Sequence, residues 1–190
     1  AQTVYEDEHA AVTDILASTQ RLTEATQIYQ YKNASPEHPL TMTLRIVNPN
    51  FEDGTTGWEN DGMLTQTNTS FPGKSGTTYL ERWVNIGSKV PDVGIRQTLE
   101  GIPDGKYRLR AAVGNIQQNG ANSTVNAGEK QTGVTLYAGI YDMPVDTMKA
   151  HKDLYFTVVD GQVTIGFKAE NATGNWICLD NIRLYYLGGN

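Results

Sequence analysis

Few residues of this 190-residue chain stand in patterns that do catalytic chemistry. His9, His38 and His151 fall on a helical stretch, a loop and a polar connection, with no ligand spacing of the HxxxH kind, which argues against a transition-metal site. There is no G-x-S-x-G elbow. The one cysteine, Cys178 in "WICLD", reads as a small core hydrophobe rather than a nucleophile or half of a disulfide. Glycoside hydrolysis needs two carboxylates facing each other across a cleft, and sequence spacing alone does not establish that. The expectation is therefore a protein that is not an enzyme. What the chain does hold is flat rings among amide, carboxylate and guanidinium groups, the chemistry that stacks on sugar rings and bonds their hydroxyls. The candidates are Tyr79, Arg82 and Trp83 in "TTYLERW", Asn115 and Gln117 at the end of a central strand, and Tyr137, Tyr141 and Trp176. Trp83 precedes the loop-like "NIGSKVPD" and is the best exposed candidate, whereas Trp176 has a competing reading as core and Tyr107 reads as core. Glu81 is open to pairing with Arg82 or Lys106 on a solvated face.

Two carboxylates occupy odd positions. In "NPNFEDGTTGW" a large apolar residue, Phe51, stands beside Glu52 in a segment that Pro49, Gly54 and Gly57 mark as a strand end and loop. In the last strand, Trp176, Cys178 and Asp180 share one phase, which Ile182, Leu184 and Tyr186 continue. A carboxylate on that phase is costly unless something compensates it.

The elements that must position these groups divide at residue 39. Residues 3–32 contain no Gly or Pro, and Val4, Ala11/Val12, Ile15/Leu16, Leu22, Ala25 and Ile28/Tyr29 recur at helical period. Glu6, Asp7 and Glu8 in the first turns and Lys32 in the last complement the helix dipole. "NASPEHP" ends this helix. One amphipathic helix cannot bury its stripe alone, so it is expected to lie on the following domain or on a helical partner. From residue 40 to 190 the period is two: Met42/Leu44/Ile46, Tyr107/Leu109/Ala111/Val113, Val134/Leu136/Ala138/Ile140, Leu154/Phe156/Val158 and Val163/Ile165/Phe167. "PDG" at 103–105 marks a tight turn and Asp160-Gly161 a hairpin. Eight to ten short strands with no helix between them predict an all-β antiparallel sandwich preceded by one long N-terminal helix. Residues 115–132 read as a long polar loop.

The composition excludes some partners. A net charge of −6 and the lack of any Lys/Arg run argue against nucleic acid. No apolar run approaches the ~18–20 residues of a membrane span. Four Asn-x-Ser/Thr sequons, at Asn33, Asn68, Asn122 and Asn171, read as composition. The ends "AQT" and "YLGGN" suggest an excised piece of a longer protein.

Three stretches, "NPNFEDGTTGW", "IRQTLEGIPDGKYRLRAAV" and "FTVVDGQVTIGFKAENATGNWICLDNIRLYYLG", come in an order and spacing that resemble the galactose-binding-like carbohydrate-binding modules over about residues 40–188. "YKNASPEHPLTMT" and "YLERW" resemble the version appended to secreted glycan-handling proteins of gut bacteria, which has an acidic residue where Thr41 stands. The resemblance implies a jelly roll, an oligo- or polysaccharide ligand, a secreted, periplasmic or cell-surface setting, and further domains of a parent protein. It also implies a structural calcium held by Glu52, Asp180 and carbonyls of "GKSG" at 73–76, with Phe51 anchoring the strand and Trp58 plugging its end. Hard oxygen ligands from distant segments suit that ion, and the competing reading is an acid pair bonded to backbone amides without metal. In function, the alternative to sugar binding is a structural or protein-interaction module of the same fold.

Overall fold

The computed structural model describes residues 11–121 and 123–189. Val4, Glu6, Asp7, Glu8, His9 and the sequon at Asn122 lie outside the described residues, as does the start of the expected helix. Helix α1 runs over Val12–Asn33 and ends at Ala34, with Lys32 in its last turn. That last turn meets the rest of the chain, where the Tyr31 ring stands edge-on to Tyr186 at 5.7 Å. Further back the stripe is not laid on the sandwich: Leu16, Leu22 and Tyr29 are exposed. No helix among the described residues is long and apolar enough to cross a membrane.

The rest is an antiparallel β-sandwich. One sheet has the order β3 (Leu64–Gln66), β4 (Tyr79–Trp83), β11 (Trp176–Tyr186), β6 (Gly105–Ile116) and β9 (Lys149–Val158), with β1 (Leu40–Thr41) also paired to β11. The other has the order β2 (Glu59–Asp61), β5 (Val93–Glu100), β10 (Gln162–Ala169), β7 (Val134–Ala138) and β8 (Tyr141–Pro144). The alternating apolar residues of β5, β6, β7, β9 and β10 meet between the sheets in one core. Burying that face against the other sheet is what holds the two layers together. Asp160 and Gly161 turn the β9–β10 hairpin with φ of 62° and 67°, as Asp-Gly in a tight turn requires.

Three details differ from the sequence reading. The alternation at Met42, Leu44 and Ile46 is not a strand: Thr43–Arg45 is a turn of 3-10 helix, so Met42 and Ile46 are buried while Leu44 is exposed. Ile140 is exposed in the β7–β8 turn rather than continuing β7. His151 lies within β9 instead of a connection.

A further difference concerns β11. Asp180 pairs with Ala112 and Arg183 with Arg110, so Asn181 and Ile182 together face Ala111. This β-bulge, with Asn181 at φ 52°, reverses the phase of the strand. Ile177 and Leu179 before it, and Ile182, Leu184 and Tyr186 after it, all face the inter-sheet core. Trp176 and Cys178 face outward, and so does Asp180 by alternation. The two groups expected to share a phase are on opposite faces. Asp180 thus avoids the main core.

Candidate functional site

On the outer face of the larger sheet a second, smaller apolar cluster forms from Phe71, Tyr79, Ala112, Ile116, Trp176 and Cys178. The segment between β3 and β4 crosses the sheet and inserts Phe71, whose ring lies 5.3 Å from that of Tyr79. Gly73 permits the close approach, since a Cβ there would come within 2.6 Å of the Ala112 Cβ. Burial pushes the Cys178 thiol well up, which removes it as a nucleophile.

Past this cluster, towards the end of β4, lies a cleft of about 240 Å³. Trp83 and Trp176 are directly opposed in the β4–β11 register. Trp176 is 2% exposed and forms part of the lining; Trp83 is 49% exposed. The Trp83 indole donates to Oε1 of Gln118 at 2.8 Å, which fixes the ring's orientation. Gln118 is held in turn: its Oε1 accepts from Asn175 at 3.0 Å and its Nε2 donates to the Ser123 carbonyl at 2.9 Å. Of the polar loop expected over 115–132, Asn115 and Ile116 instead end β6, and Gln118 is the residue that lines the cleft.

Glu81 lies in the same cleft, sharing the outward phase of Tyr79 and Trp83. Its Oε2 accepts from the Tyr79 hydroxyl at 3.0 Å and from the Trp176 indole at 2.8 Å, and its Oε1 from Gln66 at 3.1 Å. Burial first, and the Glu81 charge second, push the Tyr79 phenol up, so it remains a donor. This corrects the reading of Glu81 as a solvated partner of Arg82 or Lys106. Asn68 and Ser70 complete the lining. Neither Glu81, Gln118, Gln66, Asn68 nor Ser70 stood among the sequence candidates, although the phase of "YLERW" places Glu81 beside Trp83.

Other candidates lie elsewhere. Arg82 shares the inward phase of Leu80 and pairs across from Ile177, a core residue, so it faces away from Trp83. Asn115 is fully buried and donates to the Thr132 and Val145 carbonyls at 3.2 and 2.8 Å. Gln117 staples the 87–88 loop: its Oε1 accepts from Gly87 at 2.9 Å and its Nε2 donates to the Ser88 carbonyl at 3.0 Å. Tyr79 is buried under the cleft instead of standing at its rim. Tyr137 and Tyr141 belong to the other sheet.

The two odd carboxylates converge on one loop. Glu52 Oε1 accepts the backbone N–H groups of Thr77 and Thr78 at 2.9 and 3.0 Å, and Asp180 Oδ2 accepts that of Ser75 at 2.6 Å. Gly76, at φ +89°, brings the loop so close that a Cβ would overlap the Glu52 carboxylate. Asp180 Oδ1 is buried without a hydrogen-bond partner. Burial is the main cause that pushes the Asp180 carboxyl up to about 7, and the Glu52 charge adds to it. Both carboxylates thus bond backbone amides, as the metal-free reading expects, and the one oxygen left over, Asp180 Oδ1 near the Glu52 charge, is the group that fits a hard cation. Among the described residues no group of three or more His, Cys, Asp or Glu gathers at one point, so a cation here would depend on backbone oxygens as well. Phe51 is fully buried at φ 54°, and the Trp58 ring packs 5.4 Å from it while donating its N–H to the Val47 carbonyl at 2.9 Å.

No family model and no curated protein matches the chain. Among solved structures, the chain is similar to TmCBM61, a carbohydrate-binding module in complex with β-1,4-galactotriose, with 18% identity and a TM-score of 0.54 over 73% of this chain and 95% of that one. It is equally similar to a cyclase from Fischerella sp. TAU, with 15% identity and a TM-score of 0.54 over 80% of this chain and 99% of that one. At such identities the likeness is one of fold: the chain has the jelly-roll sandwich found in carbohydrate-binding modules and, on the cyclase side, in an enzyme.

Proposed function

We propose that the chain binds an oligo- or polysaccharide at the Trp83 cleft without catalysing a reaction. The observation that carries this reading is Trp83 itself. Its ring is half-exposed beside a polar cleft and locked by the hydrogen bond to Gln118. A fixed indole face offers stacking to the C–H face of a sugar, and the Glu81 carboxylate and the Gln66 and Asn68 side chains offer directional partners to its hydroxyls. Affinity is expected to be weak, because an open cleft desolvates few groups and the sugar exchanges water hydrogen bonds for protein ones. A glycan array, followed by affinity electrophoresis on each polysaccharide that scores, tests this. Binding should be lost in Trp83→Ala and weakened in Glu81→Gln. Wild-type retardation of Trp83→Ala would overturn it.

We also propose that Glu52 and Asp180 hold a structural calcium with carbonyls of residues 73–76. The buried, unpartnered Oδ1 of Asp180 supports this. The setting we infer is a secreted, periplasmic or cell-surface glycan-processing protein of which this chain is an accessory part. The exposed Leu16, Leu22 and Tyr29 of α1 favour a second, protein-interaction role for the helix, with further domains of a parent protein as its partner. Burial of these side chains in a longer chain, read by hydrogen exchange across α1, checks that role.

A further inference from the structure

Gln118, which accepts the Trp83 indole N–H, is itself anchored to the loop that follows it, through the Ser123 carbonyl at 2.9 Å. Ser123 ties that loop together. Its hydroxyl donates to Oδ1 of Asn119 and accepts the Val125 N–H at 3.1 Å, and its N–H donates to the Gly120 carbonyl at 3.1 Å. Asn119 donates its own N–H to the Val125 carbonyl at 3.2 Å. A continuous run of hydrogen bonds, from Trp83 to Gln118 to Ser123 to Asn119, thus joins the exposed indole to the loop. What happens at Asn119 reaches Trp83.

Asn119 is exposed and is followed by Gly120, the one Asn-Gly pair in the chain. In such a pair the next residue's backbone nitrogen can close on the side-chain carbonyl carbon, because no Cβ shields it. Two features of this loop favour that closure. The Ser123 hydroxyl is bonded to Oδ1, the atom that becomes the oxyanion of the tetrahedral intermediate. The Gly120 N–H donates to no group among the described residues, and a Cβ on Gly120 would meet nothing within 4 Å. The electrophile is polarised and the nucleophile is neither bonded nor crowded.

We propose that Asn119 is a site of intramolecular deamidation whose product releases the Trp83 ring. The Gly120 nitrogen, having given its proton to water or hydroxide, attacks Asn119 Cγ. The new N–Cγ bond forms, the Cγ–Nδ2 bond breaks, and the amide nitrogen takes up a proton and leaves as ammonia. One water then opens the succinimide at either carbonyl, giving aspartate or isoaspartate, with nothing oxidised or reduced. Either product adds a carboxylate, so the formal net charge goes from −6 to −7, one unit lower. Isoaspartate also routes the main chain through the side-chain methylene, which lengthens the segment between Gln118 and Ser123 and pulls their hydrogen bond apart. Gln118 then no longer holds the indole. The consequence for glycan binding rests on the sugar reading of the cleft; the modification and the release of Trp83 do not.

The test incubates folded wild type at about pH 6 and about pH 9, because the amide nitrogen attacks in its deprotonated form. Gly120→Ala and a urea-unfolded wild-type sample are run beside it. Peptide mapping should find aspartate and isoaspartate at position 119 in folded wild type, sooner at the higher pH. Asn119 should stay intact in Gly120→Ala, whose methyl group fits the open space yet shields the nitrogen. The isoaspartate form, separated by anion exchange, should show its Trp83 indole N–H resonance moved towards that of Gln118→Ala. On whichever of galactan, xylan and glucomannan retards wild type most, it should bind about fivefold more weakly, the scale of one lost hydrogen bond. Asn119 left intact in the folded chain while the unfolded sample reacts overturns the site, and so does Gly120→Ala reacting as fast as wild type. An isoaspartate form with an unmoved Trp83 resonance overturns the release. A moved resonance with no wild-type retardation on any of the three polysaccharides supports the release and counts against the sugar reading alone.

Discussion

Trp83 and Trp176 are direct partners across β4 and β11, yet one indole is half-exposed and the other almost completely buried. Glu81 accounts for part of the difference, because it takes the Trp176 N–H at 2.8 Å and ties that ring to the cleft floor, whereas the Trp83 N–H goes to Gln118. The pair separates two roles that the same residue type can serve. Trp176→Ala should cost about 3–5 kcal/mol, as for other buried large-to-small changes. Trp83→Ala should cost about 1 kcal/mol or less. Urea denaturation of both variants checks the contrast, and equal losses would mean that Trp83 is as much a core residue as its partner.

Glu81→Gln replaces one acceptor oxygen with an NH2 group. Its partners Tyr79, Trp176 and Gln66 are all donors, so one of them is left facing another donor. The expected loss is about 1–3 kcal/mol, the scale of an unsatisfied buried group. A variant as stable as wild type would show that these bonds are dispensable.

Asp180 links the metal proposal to pH. Its carboxyl is raised to about 7 in the folded protein, against about 3.9 in an unfolded chain. Between those values the folded state binds more protons, so calcium-free stability should fall as pH rises from about 4 to about 7, by at most ~1.4 kcal/mol per pH unit. Calcium binds the charged form, so its effect on Tm should be large near pH 8 and small near pH 5. Asp180→Asn should abolish both the slope and the calcium response. A slope that persists with no calcium response would leave the buried carboxyl in place and remove the metal.

The β11 bulge depends on Asn181 at φ 52°. Asn181→Gly should be close to neutral, whereas Asn181→Val should lose about 1–3 kcal/mol, because a β-branched residue is strained in that region. Thermal melts of the two variants decide it, and equal melts would mean that the phase change does not rest on this residue.

Much of the sandwich was legible because most of its strands bury one face, and burial writes a period of two into residues such as Val163, Ile165 and Phe167. The helix was legible from its own period, but its expected packing was not, since an exposed stripe and a covered one have the same spacing. Two differences come from local irregularities that leave no trace in hydropathy. Met42–Ile46 mimics alternation because residues four apart bury together in a 3-10 turn. Asp180 and Ile182 read as one phase because a bulge adds a residue without any sign in hydropathy. For the cleft, Trp83 was legible as an aromatic before a Gly/Pro-rich loop. Gln118 was not, because its role depends on where the 115–132 segment folds back, and nothing in residue type separates it from Asn115 and Gln117, whose amides are taken up by backbone groups.

The three indole N–H resonances of a ¹⁵N-labelled sample, assigned by single substitution and titrated with whichever oligosaccharide the array selects, test the Trp83 cleft most directly. Trp83 should show the largest shift, because its N–H and its exposed face both belong to the cleft, while Trp58, bonded to the Val47 carbonyl and outside the cleft lining, should stay still. A saturating titration that leaves the Trp83 signal unmoved would contradict the account.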